Sequence, residues 1–317
     1  MAKKNSKKKP IKKPKTGKVI KTPAPKKEES KAKVAFARLP KATELTKNSW
    51  NMLWINKNLF IGIALIYGLL NLILVQGLAG SSEVSSLKSQ ISSIGHGHAG
   101  ALSSSIGGFV VLLGSSGNGA SSGSSTYQLF LGVITSLAII WSLRQLYAGH
   151  KIRVRDSFYR GMNPLIPFIL VLVVIGLELI PLLIGSSIYS IIVSNGIAVG
   201  WLEQVAALII FLVLLALSVY WLIGTIFALY IATLPDMTPI KAIKTANDLV
   251  RKRRLIVLRK ILFLPLVLVV SAAVIMLPII LISSFLAQVV FFVLTMFVIV
   301  AVNAYLYTLY REMLNEV

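Results

Sequence analysis

The chain alternates between long apolar blocks and short polar or basic segments. The blocks lack the regular polar interruptions of a soluble core, and a bilayer-spanning helix needs about 20 apolar residues. This pattern predicts an all-α, polytopic membrane protein with six spanning helices. The spans are predicted at about residues 58–79, 127–147, 164–193, 202–234, 261–282 and 285–310. The last two share one apolar run, which predicts a turn near Ser283 and Ser284.

The segment between spans four and five combines an amphipathic stretch with a basic one. Thr238 is suited to cap a helix and Pro239 to its first position. Apolar residues then recur at near-helical spacing on one face of residues 239–250. They are Ile240, Ile243, Ala246 and Val250. A basic run follows, so we predict a helix that lies on the membrane surface before turning into span five.

Similar segments precede spans one and three. Residues 42–57 place Leu45, Trp50, Leu53 and Trp54 on one side of a second amphipathic helix, and tryptophans suit the headgroup region. Ser49, Ser157 and Thr245 occupy similar places before spans one, three and five. Two interpretations stay open: three repeated units of an elbow helix and a hairpin, or a general property of chains entering a membrane.

Charge adds an orientation to this pattern. The 317 residues are 56% hydrophobic, and the formal net charge is +22. Of the 33 Lys and Arg residues, only Lys88 falls in a loop that six spans would place outside. The positive-inside rule therefore predicts a multi-pass protein of the cell membrane with both termini in the cytoplasm.

Two low-complexity segments flank the first span and divide the chain. Residues 1–40 form a polybasic, proline-punctuated tail that should be disordered, and residues 41–317 form the membrane domain. The tail is expected to set topology, to attract anionic lipid, or to contact nucleic acid or a ribosome through phosphates alone. Residues 80–126, rich in Gly and Ser, are expected to be a flexible outer loop.

Three segments also carry a family resemblance. They read TKNSWNMLWINKN before span one, DSFYRGMNPLIPFIL entering span three and MTPIKAIKTANDLVRKRRLIVLRKIL before span five. Over about residues 42–310 the chain resembles the bacterial six-helix membrane proteins that include the membrane domain of glycerophosphoryl diester phosphodiesterases. No soluble phosphodiesterase domain is recognisable in the sequence. The resemblance therefore implies a fold and no hydrolase activity.

Motifs for catalysis or cofactor binding are weak in this sequence. Gly95–Gly100 matches G-x-G-x-x-G without the strand and helix that make it a dinucleotide site. Gly119–Gly123 matches G-x-S-x-G inside a Gly/Ser tract with no base or acid partner. His96 and His98 provide two metal ligands where a site needs three or four. With no cysteine in the chain, we predict no enzyme activity, no cofactor and no metal.

Polar side chains within the spans are the remaining candidates for a site. Glu178 is the one acidic residue inside a predicted span, while Asn71 and Asn303 lie in spans one and six. Such groups are expensive in hydrocarbon and often functional. They also serve as hydrogen-bonding contacts between helices. Both interpretations stay open for all three residues.

The sequence thus predicts a non-enzymatic, structural, lipid-associated or membrane-assembly protein that acts at the cytoplasmic face. Its expected partners are the bilayer, anionic phospholipids and another membrane protein. The predicted lipid contacts are Arg251, Lys252, Arg253, Arg254, Arg153 and Arg155. The alternative is a transporter or flippase-like carrier that uses the region of Glu178 and Asn71.

Overall fold

A computed structural model describes residues 40–74, 122–194, 201–251 and 253–315. Within these ranges the chain is all-α and has no strand, as the apolar pattern predicts. We number the helices in chain order. They are α1 Ala42–Ile55, α2 Lys57–Leu74, α3 Ser122–Tyr147, α4 Val154–Gly161, α5 Leu165–Glu178, α6 Ile180–Ser194, α7 Trp201–Thr225, α8 Ala228–Ile231, α9 Pro239–Val250, α10 Arg254–Ile282 and α11 Ser284–Asn315.

Six segments of the described chain are long and apolar enough to cross a membrane, which confirms the predicted number of spans. They are Lys57–Leu74, Thr126–Tyr147, Leu165–Ile192, Trp201–Ile231, Arg254–Ile280 and Phe285–Leu314. The protein is therefore a multi-pass membrane protein by the length and composition of its helices. The basic tail, the end of the first predicted span at residues 75–79 and the Gly/Ser-rich residues 80–121 lie outside the described residues.

Helix α10 begins before the apolar run that marks span five. Apolarity alone places the start of the span at residue 261, but α10 begins at Arg254. Long cationic side chains do not oppose a helical backbone, and their aliphatic stems pack along it while the charges reach the interface. The helix thus continues through Arg259 and Lys260 before the apolar run begins.

Span three contains a break beside its proline. Helix α5 ends at Glu178 and α6 begins at Ile180, so the break falls at Leu179, two residues before Pro181. Proline lacks a backbone N–H and its ring clashes with the preceding turn. It is tolerated in the first turn of a new helix, which is where Pro181 lies.

A short helix precedes the first spanning helix of each of the three hairpins. Helices α1, α4 and α9, which we call the elbow helices, precede α2, α5 and α10. In α1 and α4 the small residues Ser49 and Ser157 are buried, and each stands eight residues before the next helix begins. The same spacing in α9 selects Ala246, which is fully buried, and not the predicted Thr245, which is exposed.

The elbow helices pack in a cyclic order. Helix α4 contacts α2 and α3, which form the hairpin before it. Helix α9 contacts α5 and α7, which belong to the hairpin before α9. Helix α1 closes the cycle, because it contacts α10 and α11 of the last hairpin. This order supports the interpretation of three elbow-and-hairpin units, since each elbow helix meets the same two helices of the unit before it.

The main apolar core is concentrated where the elbow helices lie, which we call the elbow face. Elbow residues such as Leu45, Ala242 and Val250 are fully buried there with residues of α3, α8 and α11. A separate small cluster around Met276 joins α10 to α11. Most of the apolar surface of α6, α7, α10 and α11 stays exposed, as expected for helices that face lipid.

Candidate functional site

Helix α9 confirms the predicted bounds and shifts the predicted face. Its buried residues are Ala242, Ala246 and Val250, whereas Ile240 is 79% exposed and Ile243 is only partly buried. The predicted set therefore divides: Ala246 and Val250 pack in the bundle, and the larger Ile240 stays outside, because the small side chains allow α9 to approach α7. Thr238 stands at the N-cap, but its side chain makes no capping hydrogen bond.

Helix α1 separates residues that the sequence places on one side. Leu45 and Ser49 are buried, while Trp50 and Trp54 are 59% and 64% exposed and stack on each other with ring centroids 6.1 Å apart. The Lys57 ammonium lies 5.8 Å from the centre of the Trp54 ring. The tryptophans therefore face away from the bundle, and the buried side of α1 holds the small serine.

The predicted lipid contacts divide into exposed and internal arginines. Arg153, Arg155 and Arg251 are exposed near the ends of α4 and α9. Arg254 packs inward: its guanidinium lies 4.1 Å from the centre of the Tyr220 ring, and its Nη2 donates to Asn247 Oδ1 at 3.4 Å. Stacking on an aromatic face is characteristic of arginine. Arg254 therefore joins α7, α9 and α10.

The two remaining predicted lipid contacts are Arg253 and Lys252. Arg253 is partly buried at the start of α10, and Lys252 lies outside the described residues. Gly224 of α7 makes room for Asn247, because a Cβ at this glycine would overlap the asparagine side chain. Elbow helix α9 thus docks on α7 through a glycine. Helix α4 docks on α3 likewise, since a Cβ on Gly161 would lie 3.0 Å from Ala138 Cα.

A cleft of about 430 Å³ opens on the elbow face between α3, the junction of α4 with α5, and the turn after α8. One wall is Arg144, whose Nη1 donates to the Thr233 carbonyl at 2.9 Å and whose Nη2 donates to the Thr233 hydroxyl. Polar side chains at the rim are Gln145, Arg160, Asn163 and Asp236. The apolar lining includes Leu137, Trp141 and Pro167. We call this site the Arg144 cleft.

Aromatic side chains pack beside Arg144 where α3, α8 and α11 meet. Tyr307 stacks on Tyr147 at 5.7 Å, and Tyr310 stacks on Tyr230 at 5.9 Å between ring centroids. The Arg311 guanidinium covers the Tyr147 ring at 4.1 Å. Sequence reasoning missed this cluster, although three tyrosines within one turn and a half of α11 were its signal. It closes the elbow face with large, rigid side chains.

Lys260 is a second internal cation that the sequence reasoning missed. It is 7% exposed in α10, and its Nζ donates to the Pro40 carbonyl just before α1. Its own carbonyl accepts a hydrogen bond of 2.9 Å from the Tyr305 hydroxyl. A buried ammonium requires such partners. The basic run near residue 254 therefore ends in a contact that ties the first elbow helix to the last hairpin.

Glu178 stands at the break in span three and faces α7. Thr225 Oγ1 donates to Glu178 Oε1 at 2.6 Å. The other carboxyl oxygen, Oε2, is buried and has no hydrogen-bond partner among the described residues. Near the same break, the Leu182 backbone N–H donates to Ser218 Oγ at 3.1 Å. Two hydroxyls of α7, two turns apart, thus satisfy polar groups of the broken helix.

The structure does not bring the three predicted intramembrane polar residues together. Asn71 is buried in α2, which packs mainly on α3 and α11, whereas Glu178 contacts Thr225 of α7. Asn303 Nδ2 donates to the Ile299 carbonyl at 2.8 Å and to Ser136 Oγ of α3 at 3.4 Å. Asn303 therefore connects two helices by hydrogen bonds. Glu178 stands apart from both asparagines.

Within the described ranges, no group of three or more His, Cys, Asp or Glu side chains is arranged to hold a metal ion. The histidine pair, Gly95–Gly100 and the first three residues of Gly119–Gly123 lie outside those ranges, and α3 begins at Ser122. No family model, no curated protein and no solved structure matches this chain. Its function must therefore be inferred from the elbow face and from the Glu178 break.

Proposed function

We propose that this chain is a non-enzymatic protein of the cell membrane that gathers anionic phospholipids at its elbow face. In this proposal the elbow face and both termini lie in the cytoplasm, and the role is structural or membrane-assembling. The observation that supports this proposal is a group of three exposed arginines on the elbow face: Arg153, Arg155 and Arg251. They lie at the ends of elbow helices that pack in a cyclic order.

The physical reason is the position of these charges. Each elbow helix buries its small residues against the bundle, so its basic ends lie where the spanning helices begin. Lys and Arg near an anionic leaflet contribute about 1 kcal/mol each, and the attraction falls off within a Debye length. Several such charges at one depth therefore enrich anionic lipid around the protein without a covalent step.

The test is the preference of lipids for the protein surface. The full chain is reconstituted with spin-labelled phosphatidylglycerol or phosphatidylcholine, and the motionally restricted fraction of each is measured by electron paramagnetic resonance. We expect phosphatidylglycerol to be preferred at low salt, and the preference to fall at high salt.

The matched variants are Arg251→Gln and Lys88→Gln, which each remove one positive charge. Arg251→Gln should reduce the preference. Lys88→Gln, in the loop predicted to lie on the other side of the membrane, should leave it unchanged. Equal restriction of both lipids by the wild-type protein at low salt would remove the basis of the proposal.

A carrier is the second candidate function, and the Glu178 carboxyl favours it. A buried Oε2 without a described partner, beside a broken spanning helix, is the kind of group that transporters use to bind a cation or a proton. Proteoliposomes with a fluorescent phospholipid test the flippase form of this function. A carrier should speed the exchange between leaflets in wild type and slow it in Glu178→Gln, whereas a rate equal to that of protein-free vesicles contradicts it.

A further inference from the structure

The Arg144 cleft has a fixed cation in its wall. Arg144 donates from both terminal nitrogens to Thr233, and the Thr233 hydroxyl in turn donates to the Tyr230 carbonyl at 2.7 Å. The guanidinium is therefore held before any ligand arrives. A held side chain loses less conformational freedom on binding an anion than a free one does, and an arginine has further N–H donors in its fork.

The rim of the cleft supplies polar groups without partners of their own. The side chains of Gln145, Arg160 and Asn163 make no hydrogen bond or ion pair with any residue that the structure describes. All three can donate to an anion, and arginine matches the geometry of phosphate oxygens. The cleft thus combines one fixed cation with three donors that are unpaired within the described chain.

The lining below the donors is apolar, and the rim carries one acid. Leu137, Trp141 and Pro167 provide surface for glycerol and the upper acyl chains. Asp236 lies on the rim in the left-handed region, with φ of 60°. Its negative charge disfavours a doubly charged phosphate monoester, so a singly charged diester fits the balance of charge better.

A cleft recurs at the corresponding place of the first unit. A space of about 630 Å³ lies between the junction of α1 with α2 and the end of α3. Its cationic or titratable lining residues are Lys57, His150 and Lys151. This space adjoins the junction of α1 with α2 and the end of α3, the second spanning helix of the first unit. The Arg144 cleft likewise adjoins the junction of α4 with α5 and the turn after α8, where the second spanning segment of the second unit ends. The repeat of the fold therefore produces a basic cleft twice.

We infer that the Arg144 cleft is a binding site for the phosphodiester of an anionic glycerophospholipid, with Arg144 and Arg160 on the phosphate and Trp141 beside the acyl chains. This inference rests on the proposed function and gives it a defined site. The headgroup chemistry is that of phosphatidylglycerol: one negative charge, a phosphodiester and a glycerol that Gln145 and Asn163 can contact.

Quenching of Trp141 fluorescence gives a readout local to this cleft. The chain has five tryptophans, so changing Trp50, Trp54, Trp201 and Trp221 to Phe leaves Trp141 alone in the full chain. The protein is titrated in detergent with phosphatidylglycerol or phosphatidylcholine that carries brominated acyl chains. We expect saturable quenching at lower concentrations of the phosphatidylglycerol.

Two exposed arginines, one in the cleft lining and one outside it, provide a matched pair of variants. Arg160→Gln removes a charge that lines the cleft, and it should raise the half-quenching concentration about tenfold, as expected for a hydrogen bond to a charged group. Arg259→Gln removes an equal charge from the exposed side of α10, away from the cleft lining, and it should change the midpoint little. Asn163→Leu is a second cleft variant and should also weaken binding.

The outcomes separate the site from the proposed function and identify the source of the phosphate. Equal quenching by both lipids, unchanged by Arg160→Gln and Asn163→Leu, overturns the site even if spin-labelled lipids still prefer the protein surface. Loss of that surface preference with cleft binding intact overturns the broader proposal. Displacement by glycerophosphoglycerol would show that the soluble diester suffices and would overturn the lipid source; no displacement supports the lipid.

Discussion

At the scale of single residues, small and polar side chains decide how the apolar helices meet. Ser49, Ser157 and Ala246 are buried where elbow helices approach their neighbours. The Ser142 hydroxyl donates to Ser157 Oγ at 2.8 Å, which adds a specific contact to the approach of α3 and α4. Lipid tails are as apolar as the helices, so close packing and hydrogen bonds supply specificity that apolarity cannot.

The contact between Glu178 and Thr225 can be tested by a double-mutant cycle. Glu178→Gln keeps an acceptor for the Thr225 hydroxyl at the oxygen now 2.6 Å away, so it should change the free energy of unfolding little. Glu178→Leu and Thr225→Val each break the bond and should each destabilise the protein by about 0.5–2 kcal/mol.

Unfolding in mixed micelles measures these free energies. The double variant, which combines Glu178→Leu with Thr225→Val, should be less destabilised than the sum of the two single changes, because the bond is lost only once. Strict additivity would mean that the two side chains do not interact in the folded protein.

At the scale of elements, the register of each elbow helix follows its buried small residue and not its largest apolar ones. Trp50, Trp54 and Ile240 all point away from the bundle, because bulky groups would hold the elbow helices off the helices they contact. The pattern of apolar positions therefore located these helices, but it did not show which of their residues pack against the bundle.

Neighbouring positions in α9 test this register. Ala246 is fully buried and Thr245 is exposed. Ala246→Leu should overpack the contact of α9 with the bundle and destabilise the protein by about 1–3 kcal/mol. Thr245→Leu should stay within about 0.5 kcal/mol of wild type. Thermal unfolding of both variants in one detergent makes the comparison, and equal losses would contradict the assigned register.

The outer side of α9 gives a second prediction at this scale. Ile240 is 79% exposed, and Lys244 is also exposed. If α9 lies along the membrane surface, a spin label at Ile240 should meet lipid-soluble oxygen more often than a label at Lys244, and the reverse should hold for a water-soluble nickel complex. Equal accessibility of both labels to the nickel complex would place the helix away from the bilayer.

At the scale of the whole molecule, three similar units close into a cycle through their elbow helices. Helix α1 reaches back to α10 and α11, and Lys260 reinforces this closure through the carbonyl before α1. Cyclic closure places the elbow helices on one face, which agrees with the uneven distribution of Lys and Arg along the chain.

Orientation in the membrane can be tested directly, because the chain has no cysteine. Single cysteines are introduced at Arg155 and at Ser104 and exposed in intact cells to a reagent that does not cross membranes. The positive-inside rule predicts labelling at residue 104 and protection at residue 155. Labelling at residue 155 from outside would overturn both the orientation and the cytoplasmic role of the elbow face.

The apolar pattern alone determined the class of fold, the six spans, the turn at Ser283 and the bounds of α9, because a bilayer requires long apolar helices whatever their neighbours. Only the tertiary structure decided which face each elbow helix buries, which arginines point outward and which polar groups meet. Thr225 and Glu178 are 47 residues apart, and Lys260 lies 220 residues from Pro40. Contacts at such separations depend on how helices pack against one another, and periodicity within one helix carries no information about its partner.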